Sequence, residues 1–334
     1  MTATLAQAPL GSTGLSITRV GFGAWAIGGT GWSGGWGPQD DDTSVTAVRY
    51  AVEQGVNWVD TAWVYGYGHS EVVVRRALSV FSDADRPFVF TKCGPVEPTD
   101  RTAEPMATGD PTALRAQVHA SLRRLGVEQV DLMQMHWPAE DDVPLEVYWQ
   151  ALLDMKAEGL FRAVGVSNFD VDQLEAAEAL GHVDTLQPPF SMINREAGAN
   201  VLPWCHDHQT GVIVYSPMQC GLLTGAFTPE RVESLPDDDW RKSDDDFTVN
   251  LGANLQLVDA LRPVAERHGA SLAEVAVAWT LAWPGVSGAI VGARRPDQVD
   301  GWSGAGSVRL TPEDLHEIAT AVSSSGAGVG PTLP

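Results

Sequence analysis

Four side chains of this sequence, Asp60, Tyr65, Lys92 and His136, suit the delivery of a proton to an oxygen that is gaining negative charge. A phenol is a weak acid at neutral pH, with an ordinary pKa of about 10. A neighbouring ammonium stabilises the phenolate and makes the phenol a better donor. Lys92 is the candidate ammonium, and Asp60 the carboxylate that would keep it charged and aimed. Tyr65 is then the proton donor, and His136 supplies a hydrogen bond that orients the same oxygen. This chemistry fits carbonyl reduction, in which hydride reaches carbon as a proton reaches oxygen. Side chains cannot supply hydride, so a bound cofactor is implied. Asp60 and Lys92 alone would read equally well as a structural ion pair, and His136 alone as a satisfied core histidine. The set of four favours a site.

Such residues need elements that converge. In "NWVDTAWVYGYGHSEVVVRRAL", residues 57 to 78, Trp58 and Val59 predict a strand with Asp60 at its carboxyl end. Ser70 starts a helical pattern with Glu71 in its first turn, which leaves Tyr65 on the loop between strand and helix. Seven more apolar runs predict strands, at 19–25, 87–94, 130–138, 162–169, 183–190, 211–218 and 287–294. Between them lie helices with readable ends. Asp110 and Pro111 open one that Gly126 stops, Asp170 opens another that ends by Gly181, and "SLAE" at 271–274 and "TPED" at 311–314 have the form of N-terminal caps. Strands joined by helical crossovers imply a parallel sheet. Asp60, Lys92, His136, Ser167, Asn168, Gln187 and Tyr215 each fall at or just past the end of a run, with 167 and 168 sharing one. Polar residues repeated at that end favour a closed barrel over an open doubly wound sheet. The fold class is therefore α/β, a single-domain (β/α)8 TIM barrel over residues 1–322.

Ahead of the first barrel strand, "LAQAPLGSTGLSIT" reads as a β-hairpin plug turning at Ser12 to Gly14. Loops at 28–42, 95–110 and 224–252 exceed usual connection lengths and are expected to be functional. "PDDDWRKSDDD" at 236–246 reads as a solvated, partly disordered cofactor or substrate flap, and residues 323–334 as a disordered tail. Forty-three acidic against 21 basic residues give a net charge of −22, which repels nucleic acid. Three cysteines without a CxxC pair are not a disulfide framework and suit a reduced, cytoplasmic setting. No secretory signal and no apolar run of roughly 18 residues is seen, so no membrane partner is expected. "CHDH" at 205–208 is too tight to close a zinc site by itself, and no metal is expected.

The motifs in order, "DTAWVYG", "GHSE", "TKCG", "MQMHWP", "VGVSNF", "LQPPFSMINR", "YSPMQCGLLTG" and "IVGARRPDQV", closely resemble the aldo-keto reductase family from about residue 10 to 320. The resemblance implies Tyr65 as proton donor with Asp60, Lys92 and His136 as partners. It implies Ser167, Asn168 and Gln187 at a nicotinamide carboxamide and the Tyr215 ring beneath the nicotinamide, a flat stack that is physically reasonable. Ser216, Pro217, Met218, Gly221 and Leu222 would line the pyrophosphate, and Gly292, Arg294 and Gln298 the adenosine end. NADPH is the expected cofactor over NADH, because Arg294 and Arg295 suit a 2′-phosphate. Where the family commonly has Glu and Asn after the glutamine, this chain has Gly301 and Trp302. Trp25, Trp63 and Trp137, with Trp32 and Trp36 nearby, would give a substrate mouth rich in indole for a small-molecule carbonyl. The same resemblance extends to cofactor-binding β-subunits of potassium channels, an alternative in which catalysis is secondary. A phosphosugar isomerase barrel has no support in the motifs. The oligomeric state is not legible.

Overall fold

Period-two alternation along short apolar runs assigns one set of side chains to each face of a strand, and both faces here are apolar. In the computed structural model, which describes residues 5–236 and 239–334, these runs form β3 (Val20–Gly23), β4 (Trp58–Asp60), β5 (Phe88–Cys93), β6 (Val130–Met135), β7 (Phe161–Ser167), β8 (Thr185–Gln187), β9 (Gly211–Val214) and β10 (Val286–Gly292). They pair in parallel, in chain order, and β10 closes on β3. The expected single-domain (β/α)8 barrel is the observed fold.

One face of each strand fills the barrel interior: Trp58, Phe90, Leu132, Ala163, Ile213 and Ile290 pack together there. The alternate residues, among them Val59, Met133, Val164, Leu186 and Val291, join the larger core between strands and helices. Gly21 is small for a physical reason, because a Cβ there would sit 2.1 Å from the Trp58 indole. The hairpin of β1 (Gln7–Pro9) and β2 (Ser16–Thr18) precedes the barrel. Its Leu10, Leu15 and Ile17 are buried against the interior cluster, so the hairpin is the plug read from the sequence.

Helix ends follow their capping chemistry. The Asp110 carboxylate accepts from the Thr112 and Ala113 amides, and Gly126 takes the left-handed φ of 71°. Reciprocal capping boxes form at Asp170–Gln173, Ser271–Glu274 and Thr311–Asp314. The helix after Tyr65 departs from expectation: it runs His69–Leu78 from Gly68, and Ser70 is buried inside its first turn.

Two expectations for irregular segments are corrected. The last helix runs Pro312–Ser325, past the expected boundary at 322. The residues after it dock on the loop at 191–195, where the Arg195 guanidinium donates to Ala327 O (3.0 Å) and Gly330 O (3.3 Å) and Val329 pairs with Ile193 and Arg195. The flap at 236–246 holds short helical turns, with Trp240 half-buried and neighbouring Phe247 buried. Trp240 packs on Trp25, Trp36 and Phe247. Residues 237 and 238 of that flap lie outside the described residues.

Asp314 fastens the last helix. Its carboxylate, 1% exposed, accepts from His268 Nε2 at 2.7 Å and from Arg267. Burial alone would raise this carboxyl, but bonds from the Thr311 backbone, His268 and Arg267 outweigh it and bring the pKa down to about 2. A depressed pKa stabilises the fold above the unfolded value and the gain fades as pH falls through the folded one. Asp314→Asn is therefore expected to lower stability by on the order of 1–2 kcal/mol at pH 5–7. In thermal melts, the gap to the unsubstituted protein should close between about pH 4 and 2.

Candidate active site

The same alternation that sends Trp58 and Phe90 inward sends Asp60 and Lys92 inward two residues later, at the carboxyl end of the barrel. Lys92 is fully buried and Asp60 is 2% exposed. Lys92 Nζ donates to Asp60 Oδ1 at 2.5 Å and to Thr61 O at 3.0 Å, and lies 3.4 Å from the Tyr65 hydroxyl. Gln187 Nε2 donates to the other Asp60 oxygen at 2.9 Å. Both carboxylate oxygens are thus paired, as a buried charge requires.

Tyr65 is held from both sides of its loop. Ser70 Oγ donates to Ala24 O at 2.8 Å and lies 2.9 Å from Thr61 Oγ1, while the Ser70 amide donates to Tyr65 O. Buried Glu71 accepts from Thr91 Oγ1 (2.7 Å) and Arg124 Nε (2.6 Å), tying the helix to β5. Gly66 is obligatory here: its φ is 64° and a Cβ would stand 2.0 Å from Gly28 O. The His136 ring meets Tyr65 edge-on at 5.7 Å.

The electrostatics differ from the expectation that Lys92 lowers Tyr65. Burial, and then the Asp60 charge, hold the phenol well above its ordinary range. Lys92 lies 2.5 Å from Asp60 but 3.4 Å from the Tyr65 hydroxyl, so it is paired first with the carboxylate. Burial also pushes Lys92 down and Asp60 up against their mutual attraction. His136 is held well below the imidazole range by burial and by Lys92, so its ring is neutral at pH 7. Its Nδ1 is buried without a protein partner among the described residues.

A cavity of about 1510 Å³ opens on this group. Its lining includes Asp60, Tyr65, His136, Ser167, Asn168, Gln187, Tyr215, Ser216, Pro217, Met218, Gly221, Gly292, Arg294 and Gln298, together with Trp25 and Trp137. Three expected residues stand elsewhere. Lys92 lies behind Asp60 and Tyr65. Leu222 is buried in the core, since its turn points it inward. Trp63 faces away from the cavity: its Nε1 donates to Pro95 O at 2.6 Å and its ring packs on Tyr67 and the Arg124 guanidinium. The indole mouth is formed instead by Trp25, Trp32, Trp36 and Trp137. Trp25 and Trp32 stand 6.4 Å and 6.0 Å from the Tyr65 ring.

Hydrogen bonds order the remaining polar set. Asn168 Nδ2 donates to His136 O (3.0 Å), its Oδ1 accepts from the Tyr215 hydroxyl (2.9 Å), and Ser167 Oγ donates to Gln187 O (2.7 Å). At the far end, Gln298 Oε1 accepts from the Arg294 amide at 2.7 Å. The Arg294 guanidinium donates to Gln39 Oε1, Trp36 O and Pro38 O rather than standing free. Arg295 is paired with Asp297 in solvent. Gln39, Phe227, Arg241 and Trp302 also line the cavity and were not assigned from sequence. Gln39, Phe227 and Arg241 lie in the long loops expected to be functional, and Trp302 carried its own signal as the residue found where the family commonly has Asn. It is 2% exposed and its Nε1 is buried without a partner among the described residues.

These features fit a dinucleotide. The lining runs from Tyr65 and His136 to Gln298 and Trp302, the orphaned indole N–H stands at the end of the cavity far from Tyr65, and the backbone at Ser216, Gln219, Cys220 and Gly221 adopts positive φ. The "CHDH" segment has another role: Cys205 is buried and the His208 ring stacks on Trp204 at 3.9 Å.

A sequence model of the Aldo/keto reductase family matches residues 19–323. The aldo-keto reductase YhdN of Bacillus subtilis is 34% identical over 314 residues, covering 93% of this chain and 92% of that protein. An NADH-specific methylglyoxal reductase of Escherichia coli is 30% identical over 331 residues, with 94% and 98% covered. The solved glycerol dehydrogenase AKR11B4 of Gluconobacter oxydans superposes with a TM-score of 0.86 at 34% identity, covering 98% of each chain.

Removing one member of a buried ion pair strands the other. Asp60→Asn is expected to cost about 3–5 kcal/mol in chemical denaturation. Lys92→Met should cost a comparable amount by stranding Asp60, and the double variant less than the sum of the two.

Proposed function

The chain belongs to the aldo/keto reductase family of oxidoreductases, and on that premise we propose that it reduces the carbonyl of an aldehyde or ketone, with Tyr65 as proton donor and NADPH preferred over NADH. The observation that carries the reading is the buried cluster in which Lys92 Nζ lies 2.5 Å from Asp60 and 3.4 Å from the Tyr65 hydroxyl, beside His136 at one cavity. When bound, the dinucleotide supplies the hydride. A phenol held well above its ordinary pKa keeps its proton until a substrate oxygen turns basic. As that proton leaves, the phenolate gains the attraction of Lys92, a term that matters little while the phenol is neutral. Neutral His136 can donate one ring N–H to the same oxygen without adding charge.

Gln187, with Nε2 spent on Asp60, keeps Oε1 for a carboxamide N–H, and Ser167 and Asn168 complete that end. The Tyr215 ring would underlie the nicotinamide, the 216–221 turn the pyrophosphate, and Gly292, Gln298 and Trp302 the adenosine. The preference for NADPH rests on Arg294 as a local cation at the cavity in a chain of net charge −22. The Escherichia coli relative is named as NADH-specific, so the preference is open to direct titration. Indole rings beside Tyr65 favour aryl or medium-sized apolar carbonyls.

Tyr65→Phe is expected to reduce turnover by roughly 10²-fold or more while cofactor affinity, read by tryptophan fluorescence, stays near the original value. Turnover at the original rate would remove Tyr65 from the chemistry. In the same titration NADPH should bind about tenfold or more tighter than NADH, and equal affinities would refute the preference. A panel of aryl aldehydes and open-chain sugars tests the mouth. Trp25→Ala should raise KM for the aryl members, whereas Trp63→Phe, away from the cavity, should not.

A further inference from the structure

The loop at 28–40 holds glycines at 28, 29, 31, 34, 35 and 37, and so many glycines carry a high entropic cost of ordering. It nevertheless carries Trp32 and Trp36 to the cavity. Something must hold its far end. The Arg294 guanidinium donates through Nε to Gln39 Oε1 at 2.6 Å, through Nη1 to Trp36 O at 3.0 Å and through Nη2 to Pro38 O. Gln39 returns a bond from Nε2 to Arg294 O at 2.9 Å and spends the same group on Ser44 Oγ. The clasp thus joins the residues just past β10 to the loop by contacts running both ways. From there the path to the chemistry is aromatic: Trp36 meets Trp25 edge-on at 5.2 Å, and Trp25 stacks toward Tyr65 at 6.4 Å.

We propose that Arg294 is a positioning residue for the substrate mouth, tying loop 28–40 and its Trp36 to the barrel whichever nicotinamide is used. A guanidinium has five N–H groups in a planar fork, so three bonds to the loop leave two for an anion such as a 2′-phosphate. The loop and the cofactor can then be held by one side chain at once. A residue that only read a phosphate would have no reason to spend Nε, Nη1 and Nη2 on Gln39, Trp36 and Pro38. Lysine cannot replace it, because one ammonium on a flexible stem does not span three divergent acceptors. The effect on substrate rests on the reductase reading above, whereas the tie itself does not.

Hydrogen exchange of the full chain without cofactor tests the tie. Arg294→Met and Arg294→Lys should both raise exchange in peptides covering residues 28–40 by about tenfold or more, with the strands unaffected. With NADH, which has no 2′-phosphate, KM for the carbonyl should rise by about fivefold or more, a larger change than in kcat. Should Arg294→Met fail to fold, Gln39→Leu removes one arm of the clasp and should move both readouts in the same direction. Unchanged exchange, or an effect confined to NADPH with the NADH-dependent KM intact, would overturn the proposal. Absence of turnover with either nicotinamide in the unsubstituted protein would instead overturn the reductase reading, and the exchange comparison would still decide the tie.

Discussion

The site depends on keeping an ammonium and a carboxylate 2.5 Å apart inside a protein core. Water is lost to both, and the effective cost is several kcal/mol per ion unless geometry and hydrogen bonds compensate. Here they do: Lys92 also donates to Thr61 O, and Asp60 takes a second bond from Gln187. Each partner lies on a different element, so the pair exists only when β4, β5 and β8 stand in register. The hairpin plug supports this from below. Leu10, Leu15 and Ile17 pack into the opposite end of the apolar interior on which the pair sits.

Above the pair, function passes from strands to loops. The strand ends set Asp60, Lys92, Ser167 and Gln187 on a rigid frame, as barrels generally place their chemistry. The mouth is built instead from residues far apart in the chain, with Trp25 stacked on Trp240 at 6.3 Å and Arg241 over Trp36 at 4.9 Å. The flap at 236–246 and the loop at 28–42 therefore meet at the cavity. A strongly acidic chain brings two arginines to this meeting point, Arg294 holding loop acceptors and Arg241 lying over the Trp36 and Phe227 rings.

Family membership and site geometry carry different weights. One barrel supports many reactions, so the fold is a scaffold and the argument for chemistry lies in particular side chains. The reversal at Tyr65 illustrates this. A lysine beside a phenol suggests an acidified phenol, yet burial and Asp60 hold the phenol well above its ordinary range.

Strand and helix order, the plug and the barrel were legible from residue order alone, because alternation and capping are local: Trp58 two residues before Asp60, Phe90 two before Lys92, and Ser271 with Glu274 need no distant partner to be read. The polar residues at strand ends were legible for the same reason. What the chain order did not carry was which loop side chain turns which way. Trp63 adjoins the tyrosine loop in sequence yet packs on Arg124, 61 residues later, and Trp302 fills a position where a resemblance leads one to expect Asn. Arg294 read as a free cation because its acceptors, Trp36, Pro38 and Gln39, lie more than 250 residues away. The docked tail after residue 325 was hidden likewise, its contacts being to Ile193 and Arg195. Local patterns follow from the period of the backbone, and these contacts follow only from closure of the barrel, which brings loops distant in the chain together.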